Sequence, residues 1–138
     1  MALPTPLPDA APSWHVLDLP HAPEAARRTC AALRDDLGAL EVPTAVLNDA
    51  IIVAGELVTN AVEHGRPRLA GTIEVAWLLS SDSLHLRVVD AGEGPDIPGG
   101  TVSADGLRGR GLAMVAAICA DLALDRTGCT TFTARIPL

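Results

Sequence analysis

The sequence predicts a two-layer α+β sandwich in which a mixed, mostly antiparallel sheet is covered by helices on one face. Two observations lead to this fold class. Helix patterns follow one another along the chain and strand patterns come in pairs, so the element order is β-α-α-β-β-loop-α-β-β. Consecutive helices and paired strands separate into two layers, whereas strands that alternate with helices would build a doubly wound parallel sheet.

Length and composition fit one globular domain with an aliphatic core. The chain has 138 residues, 49% of them apolar and only 2% aromatic, so Leu, Val, Ile and Ala must fill the core. Several prolines in residues 1–12 indicate a flexible lead-in, and the domain is expected over residues 13–138. The N-terminus has no basic start and no continuous apolar segment, and no apolar run is long enough to cross a membrane. We therefore expect a cytoplasmic protein without a signal peptide.

The first half of the chain contains one predicted strand and two predicted helices. Residues 14–19 have the pattern of a short strand. A first helix is expected over residues 23–39, with a proline at its start and a glycine near its end. Pro43 opens a second helix, which ends at about His64 because the segment G-R-P follows it.

The second half predicts two strand pairs, separated by a glycine-rich loop and a third helix. The expected elements are strands at 72–79 and 84–90, a loop at 91–108, a helix entered through Gly109 and Gly111, and strands at 121–126 and 129–137. The loop shows no periodicity, and long loops of this kind in a compact domain are usually functional or mobile. The third helix is apolar almost all round, which predicts that it is buried.

The charged residues and cysteines exclude several classes of function. A formal net charge of −7 argues against a protein that binds nucleic acid through its phosphates. All ten basic residues are Arg, and without Lys neither a Walker A loop nor an ordinary protein kinase site can exist. Cys30, Cys119 and Cys129 are odd in number and show no C-x-x-C spacing. We expect small core residues rather than a disulfide framework or a zinc site.

The polar face of the second predicted helix carries acidic and amide groups without a cationic partner. Glu56, Asn60 and Glu63 lie on that face, and no Lys or Arg occurs between Arg34 and Arg66. Carboxylates on a solvated helix face normally meet cations three or four residues away. Two explanations stay open: an ordinary solvated face, or a bound divalent cation, since amide and carboxylate oxygens suit Mg²⁺.

Two glycine-rich motifs follow the second helix. In V-V-D-A-G-E-G-P a strand ends at Asp90, a carboxylate able to accept a hydrogen bond from an exocyclic amine such as that of adenine. Gly92 and Gly94 would let the backbone approach a ligand closely, although the pattern also fits an ordinary turn. In G-L-R-G-R-G-L, residues 106–112, glycines and two arginines open a helix, whose N-terminal N–H groups suit an anion. The alternative is a helix entered through a flexible loop.

The conjunction of three motifs in this order resembles the GHKL (Bergerat-fold) ATPases, which include gyrase B and the histidine kinases. E-L-V-T-N-A-V-E-H-G, residues 56–65, resembles the N box of that family. D-A-G-E-G-P resembles its first glycine box and G-R-G-L its second. The segment E-L-V-T-N-A-V-x-H in a short chain is most similar to the bacterial anti-sigma-factor serine kinases and their actinobacterial relatives. The resemblance covers about residues 14–138.

The resemblance implies a role for each matching residue. Glu56 would be the general base that polarises the attacking nucleophile, Asn60 would bind the Mg²⁺ that bridges the ATP phosphates, and Asp90 would hold the adenine amino group. The other residues implied to contact the nucleotide are His64, Gly65, Gly92, Gly94, Pro95, Gly109, Arg110, Gly111, Leu112 and Thr130. Residues 95–108 would form a lid over ATP.

The resemblance also implies an activity and partners. The protein would be an anti-sigma factor with ATP-dependent protein serine kinase activity toward an anti-anti-sigma partner, with a sigma factor as a further partner. Relatives often form homodimers. Two alternatives stay open: a nucleotide-gated binding module that holds ATP and scarcely turns it over, and the detached catalytic domain of a histidine kinase. The family's Gly-Lys-Thr is Gly128-Cys129-Thr130 in this chain, and the absent lysine is compatible with the binding module.

Overall fold

The computed structural model describes residues 13–93, 97–103 and 110–138. The elements are β1 His15–Pro20, α1 Glu24–Ala39, α2 Thr44–Glu63, a 3₁₀ turn Leu69–Gly71, β2 Thr72–Leu79, β3 Ser83–Asp90, β4 Gly100–Thr101, α3 Arg110–Ile118, β5 Asp121–Asp125 and β6 Thr130–Pro137. The predicted α+β sandwich is confirmed, and the predicted elements are found in the predicted order. The 3₁₀ turn and the two-residue strand β4 were not predicted from the sequence.

The described strands form one six-stranded sheet in the order β1-β2-β3-β6-β5-β4. Every pairing within this sheet is antiparallel, so the described part contains no parallel pair of the kind a mixed sheet would have. The register between β3 and β6 places Asp90 opposite Thr130. The last residue of one central strand and the first residue of its neighbour therefore lie side by side at one end of the sheet.

The helices cover one face of the sheet, and the alternation of burial along the strands identifies that face. In β6 the buried residues are Thr130, Phe132, Ala134 and Ile136, and those between them are partly exposed. The buried residues of α1 recur every four positions: Ala25, Thr29, Leu33 and Leu37. That spacing places them on one side of the helix. The core thus lies between one stripe of each helix and the inner face of the sheet.

α2 is the central helix of the helical layer. It contacts α1, α3 and the strands β2, β3 and β6. Its buried residues are Val46, Ala50, Val53, Ala54, Leu57, Val58 and Ala61. The sequence analysis expected no apolar segment long enough to cross a membrane. By length and composition alone α2 is long and apolar enough, and it is the one described helix that is. Its contacts with helices and sheet account for that apolar surface, since a core helix has the same composition.

α3 is less buried than its composition predicted. Val115 is fully buried, but Met114 is 40% exposed. The helix has nine residues, and its main contacts are with α2 and β5. A short helix at the edge of a layer buries only the side that faces its neighbours, so apolar residues on the other side stay in contact with water.

Of the three cysteines, only Cys119 is a buried core residue. Cys30 and Cys129 are partly buried, and all three are free thiols. Burial, aided by the nearby carboxylate of Asp49, raises the pKa of the Cys119 thiol to about 11. This thiol is therefore protonated at neutral pH, and a protonated thiol is neither a good nucleophile nor a metal ligand.

Candidate functional site

Three segments of the chain meet at one end of the sheet. β3 ends at Asp90, and β6 begins at Thr130 beside it. The segment that leaves α2 runs along the same corner, because the Ala91 N–H donates to the Arg66 carbonyl oxygen at 2.9 Å. Asp90 is only 5% exposed and Thr130 only 2%. The corner therefore holds a carboxylate and a hydroxyl largely away from water.

The Asp90 carboxylate is held in place by backbone N–H groups. Its Oδ1 accepts hydrogen bonds from Gly92 N at 2.6 Å and from Arg66 N at 3.3 Å. A buried carboxylate needs such partners, and these two also orient the carboxylate plane. Within the described residues no donor bonds Oδ2. This oxygen is therefore available, as far as the described residues go, to a donor from a ligand.

Gly65 and Gly92 pack directly against that carboxylate. A Cβ on residue 65 would lie 2.5 Å from both the Ala61 carbonyl oxygen and Asp90 Cγ. A Cβ on residue 92 would lie 2.8 Å from Asp90 Oδ1 and 3.1 Å from Arg66 N. Protein interiors are too closely packed to absorb such overlaps without displacement. Both residues must therefore be glycine if Asp90 is to keep this position.

The hydroxyl of Thr130 connects β6 to the loop that follows β3. It donates to the Gly92 carbonyl oxygen at 2.7 Å in a buried hydrogen bond. Gly92 is thereby bonded on both sides, since its N–H donates to Asp90. The Thr130 hydroxyl donor is thus used by the protein itself, and the start of the loop is held against the sheet.

Arg126 holds the same loop further along, a role that the sequence analysis missed. Its Nε donates to the Glu93 carbonyl oxygen at 2.8 Å, and its Nη1 donates to the Ile97 carbonyl oxygen at 2.9 Å. One guanidinium therefore bridges the two ends of the segment 93–97. The sequence did contain one signal: Arg126 lies two residues before Gly128, in the turn where the resembling family carries its lysine. The carbonyl groups that it bonds could not be read from the sequence.

We expect Arg126→Lys to loosen residues 91–93 and 97 although the charge is retained. A lysine ammonium lacks the planar fork with which a guanidinium bonds two carbonyls at once. Loss of one to two hydrogen bonds corresponds to about tenfold faster amide exchange at those residues, which NMR can measure. Arg135→Lys is the control, because Arg135 pairs with Asp121 and does not bond this loop. Unchanged exchange at residues 91–93 and 97 in Arg126→Lys would show that the bridge does not hold the loop.

Glu56 reaches from α2 to the first turn of α3. Its Oε2 lies 2.5 Å from the position that a Cβ on residue 111 would occupy, and its Cδ lies 3.4 Å from that position. The structure thus brings Glu56 and Gly111 together, as a shared site requires. A carboxylate beside the N-terminal turn of a helix is also electrostatically favourable. The contact between the two residues is direct, with no gap between them for a ligand at this point.

Asn60 and His64 lie at the C-terminal end of α2. Asn60 is partly buried, and its backbone carbonyl oxygen accepts from the His64 N–H at 2.9 Å and from the Gly65 N–H at 3.2 Å. These bonds close the helix end. The His64 side chain is 71% exposed and lies 4.0 Å from the Glu63 carboxylate. It is therefore a surface group, unlike the buried residues around Asp90.

The protein donors near α2 fit a Mg²⁺ ion that is shared with phosphates. Over residues 13–93, 97–103 and 110–138, no group of three His, Cys, Asp or Glu side chains is placed to hold a metal. Asn60 on α2 offers an amide oxygen, one helical turn from the Glu56 carboxylate. Mg²⁺ is usually bound through one or two protein groups, with waters and substrate phosphates completing its shell. This donor set therefore suits an ion that arrives with a nucleotide.

Some of the expected site residues lie outside the described part of the chain. These are Gly94, Pro95, Gly109 and the side chain of Arg110. The Leu112 side chain is partly buried and packs against the hydrophobic core. Of the expected lid, residues 97–103 are described, and they include β4, which pairs with β5. A segment expected to be a structureless loop thus contributes an edge strand, because backbone pairing needs no hydrophobic pattern.

The fold and the arrangement of these segments define a class of ATP-binding domain. The chain belongs to the histidine kinase-like ATPase domain family, whose sequence profile matches residues 19–136. The match begins in β1, ends in β6 and includes all three described helices. The resemblance to the GHKL ATPases is therefore confirmed, and ATP is the ligand that the family supports.

Among solved structures, the chain is similar to the RsbU and RsbW domains of Rv1364c from Mycobacterium tuberculosis. The TM-score is 0.69 and the sequence identity is 26%. The similarity covers 90% of this chain and 32% of the other, so this chain spans about a third of that protein's length. No curated protein sequence matches this chain.

Proposed function

We propose that the protein is an ATP-binding anti-sigma factor that transfers the γ-phosphate of ATP to a serine of an anti-anti-sigma partner. The corner around Asp90 supports the ATP-binding part of the proposal. There a buried carboxylate has one oxygen bonded to backbone N–H groups, and glycines pack against it. A carboxylate oriented in this way suits the exocyclic amino group of adenine, because the amine is a donor and a carboxylate is only an acceptor.

The phosphates of ATP would lie toward α3. The N–H groups in the first turn of a helix are a general device for binding phosphate, and this helix begins at Arg110. Asn60 would supply an amide oxygen to the Mg²⁺ that accompanies ATP. When bound, that ion neutralises charge on the phosphates, the main requirement of phosphoryl transfer besides positioning.

We assign Glu56 as the general base. It is partly buried on α2 and lies against Gly111, so it is on the side of the domain where the phosphates are proposed to bind. Its carboxylate would take the proton of the partner's serine hydroxyl as the new O–P bond forms and the bond between the β- and γ-phosphates breaks. A positioned base of this kind contributes about 10²- to 10⁴-fold to the rate.

The proposed partners and location rest on two similarities. The segment E-L-V-T-N-A-V-x-H resembles that of the anti-sigma-factor serine kinases, and the similar solved structure contains an RsbW domain. On that basis we propose an anti-anti-sigma protein as the phosphate acceptor, a sigma factor as a second partner and a cytoplasmic location. A homodimer is proposed as the assembly because relatives often form one.

A second candidate function, a nucleotide-gated binding module without phosphoryl transfer, is supported by other observations. The turn Gly128-Cys129-Thr130 lacks the family's lysine, and the Thr130 hydroxyl bonds the protein's own backbone. A module that binds ATP and changes its affinity for a partner without phosphoryl transfer would need the Asp90 corner alone. A detached histidine kinase domain would instead transfer phosphate to a histidine.

Two measurements test the kinase proposal. Mg-ATP should raise the unfolding temperature, since a ligand at 100 times its Kd stabilises by about 2.7 kcal/mol. With ATP labelled at the γ-phosphate, label should appear on a serine of the anti-anti-sigma partner. Glu56→Gln should reduce the transfer rate by about 10²-fold or more while ATP protection is retained.

Glu63→Gln is the matched control for the base. Glu63 ends α2 and its side chain is 63% exposed, so its substitution should leave both ATP protection and transfer unchanged. ATP protection without transfer to any cognate partner would favour the binding module over the kinase. Absence of ATP protection would overturn both.

A further inference from the structure

Gly111 has an unusual neighbour for a glycine in the first turn of a helix. Such a glycine can leave room for a ligand or for another part of the protein. Here the atom nearest to an added Cβ is the carboxylate oxygen Oε2 of Glu56, at 2.5 Å. The backbone of Gly111 is not in the left-handed region that favours glycine. The space that a side chain at residue 111 would need is therefore taken by the Glu56 carboxylate.

A side chain at residue 111 would change the position of the Glu56 carboxylate. Real Cβ atoms essentially never lie within 3.0 Å of such a neighbour, so a methyl group at residue 111 would displace the Glu56 carboxylate. The carboxylate is the end of a flexible side chain, so it can move while the backbone of α2 and α3 stays in place. A general base, however, must stay within hydrogen-bond reach of its proton, and a misplacement of about 1 Å can reduce a rate by about 10²-fold.

We propose that Gly111 is a positioning residue for Glu56. Because residue 111 has no side chain, the carboxylate of the general base can occupy the position it has beside α3. This role is additional to any phosphate contact made by the turn. The inference rests on the proposed kinase function for its catalytic meaning. The contact itself does not, because it joins two residues of the chain, one on α2 and one on α3. Catalysis and stability can therefore be tested separately.

The kinetic test compares Gly111→Ala in two backgrounds. In the otherwise native chain it should lower kcat for phosphoryl transfer by about 10- to 100-fold and change the KM for ATP by less than about twofold. Glu56→Asp withdraws the carboxylate by one methylene, so that the added methyl no longer meets it. In that background Gly111→Ala should change kcat by less than about threefold. A rise in KM with kcat intact would show that the glycine serves the phosphates, and would overturn the inference.

The stability test needs neither ATP nor a partner. Alanine is a better helix former than glycine, so in a Glu56→Ala background Gly111→Ala should raise Tm by about 2–4 °C. With Glu56 present the same change should give no rise. Gly38→Ala is the matched control, since nothing lies within 4 Å of a Cβ on this α1 glycine. Its rise should be the same in both backgrounds.

The outcomes separate the two proposals. A native chain that binds ATP but transfers no phosphate would overturn the kinase function, while non-additive Tm values would still support the Gly111–Glu56 contact. Additive Tm values for residues 56 and 111 would overturn the positioning role, whatever the activity of the native chain.

Discussion

Gly65→Ala should destabilise the protein by about 3 kcal/mol and remove ATP protection with it. The added Cβ would lie 2.5 Å from both the Ala61 carbonyl oxygen and Asp90 Cγ. The carbonyl belongs to the last turn of α2 and accepts the Gly65 N–H at 3.1 Å, so it has little freedom to retreat. Asp90 must then move, and its two bonds from Gly92 N and Arg66 N are weakened. Thermal unfolding should show a fall in Tm of about 10 °C.

Gly55→Ala is the control for this prediction, because it adds the same methyl group within α2, the helix that ends just before Gly65. A Cβ on residue 55 would be 3.9 Å from the Cys30 sulfur, an ordinary contact. Since alanine also favours the helix, Tm should stay the same or rise slightly. Equal Tm values for Gly55→Ala and Gly65→Ala would mean that the corner around Asp90 can relax, and that the glycine is not required there.

Asp90→Asn should reduce ATP affinity by about 100-fold or more while the fold is retained. The asparagine Oδ1 can still accept the bonds that Gly92 N and Arg66 N make to Asp90 Oδ1. The second position changes from an acceptor to an NH₂ donor, which would face the adenine amino group. A lost hydrogen bond to a charged group contributes about 1.5–3 kcal/mol, and an unpaired donor adds to it. Isothermal titration of ATP into both proteins measures the change directly.

Asp125→Asn provides a closely matched control. Asp125 ends β5 as Asp90 ends β3, and its Oδ1 likewise accepts a backbone N–H two residues on, from Thr127 at 2.8 Å. That hydrogen bond lowers the pKa of the exposed Asp125 carboxyl group. Asp125→Asn should leave ATP affinity unchanged. If Asp90→Asn also binds ATP with native affinity, Asp90 does not recognise adenine.

The order of elements was predictable because it depends on local patterns. The helix expected over residues 23–39 is found at Glu24–Ala39, and the strand expected over 129–137 is found at Thr130–Pro137. The membership of the ATPase family followed from three motifs that lie far apart in the chain. Each motif also had an ordinary explanation, and only their order made the combination specific.

Other features of the fold could not be predicted, since they depend on neighbours. The strand β4 has two residues and is defined by its pairing with β5. No periodicity in the sequence predicts this pairing. The exposure of Met114 follows from the position of α3 at the edge of the helical layer. An apolar helix shows that burial is favourable, but not how much of its surface its neighbours can cover.

By itself, the sequence determined the α+β sandwich, the ATPase family and the residues to consider, because side-chain type and spacing carry that information. The tertiary structure decided what those residues touch. Glu56 lies against Gly111, Gly65 lies against Asp90, and Arg126 bonds carbonyl groups about thirty residues away along the chain. Contacts of this kind join distant segments and often involve the backbone, which has the same chemistry at nearly every residue and so leaves no mark in the sequence.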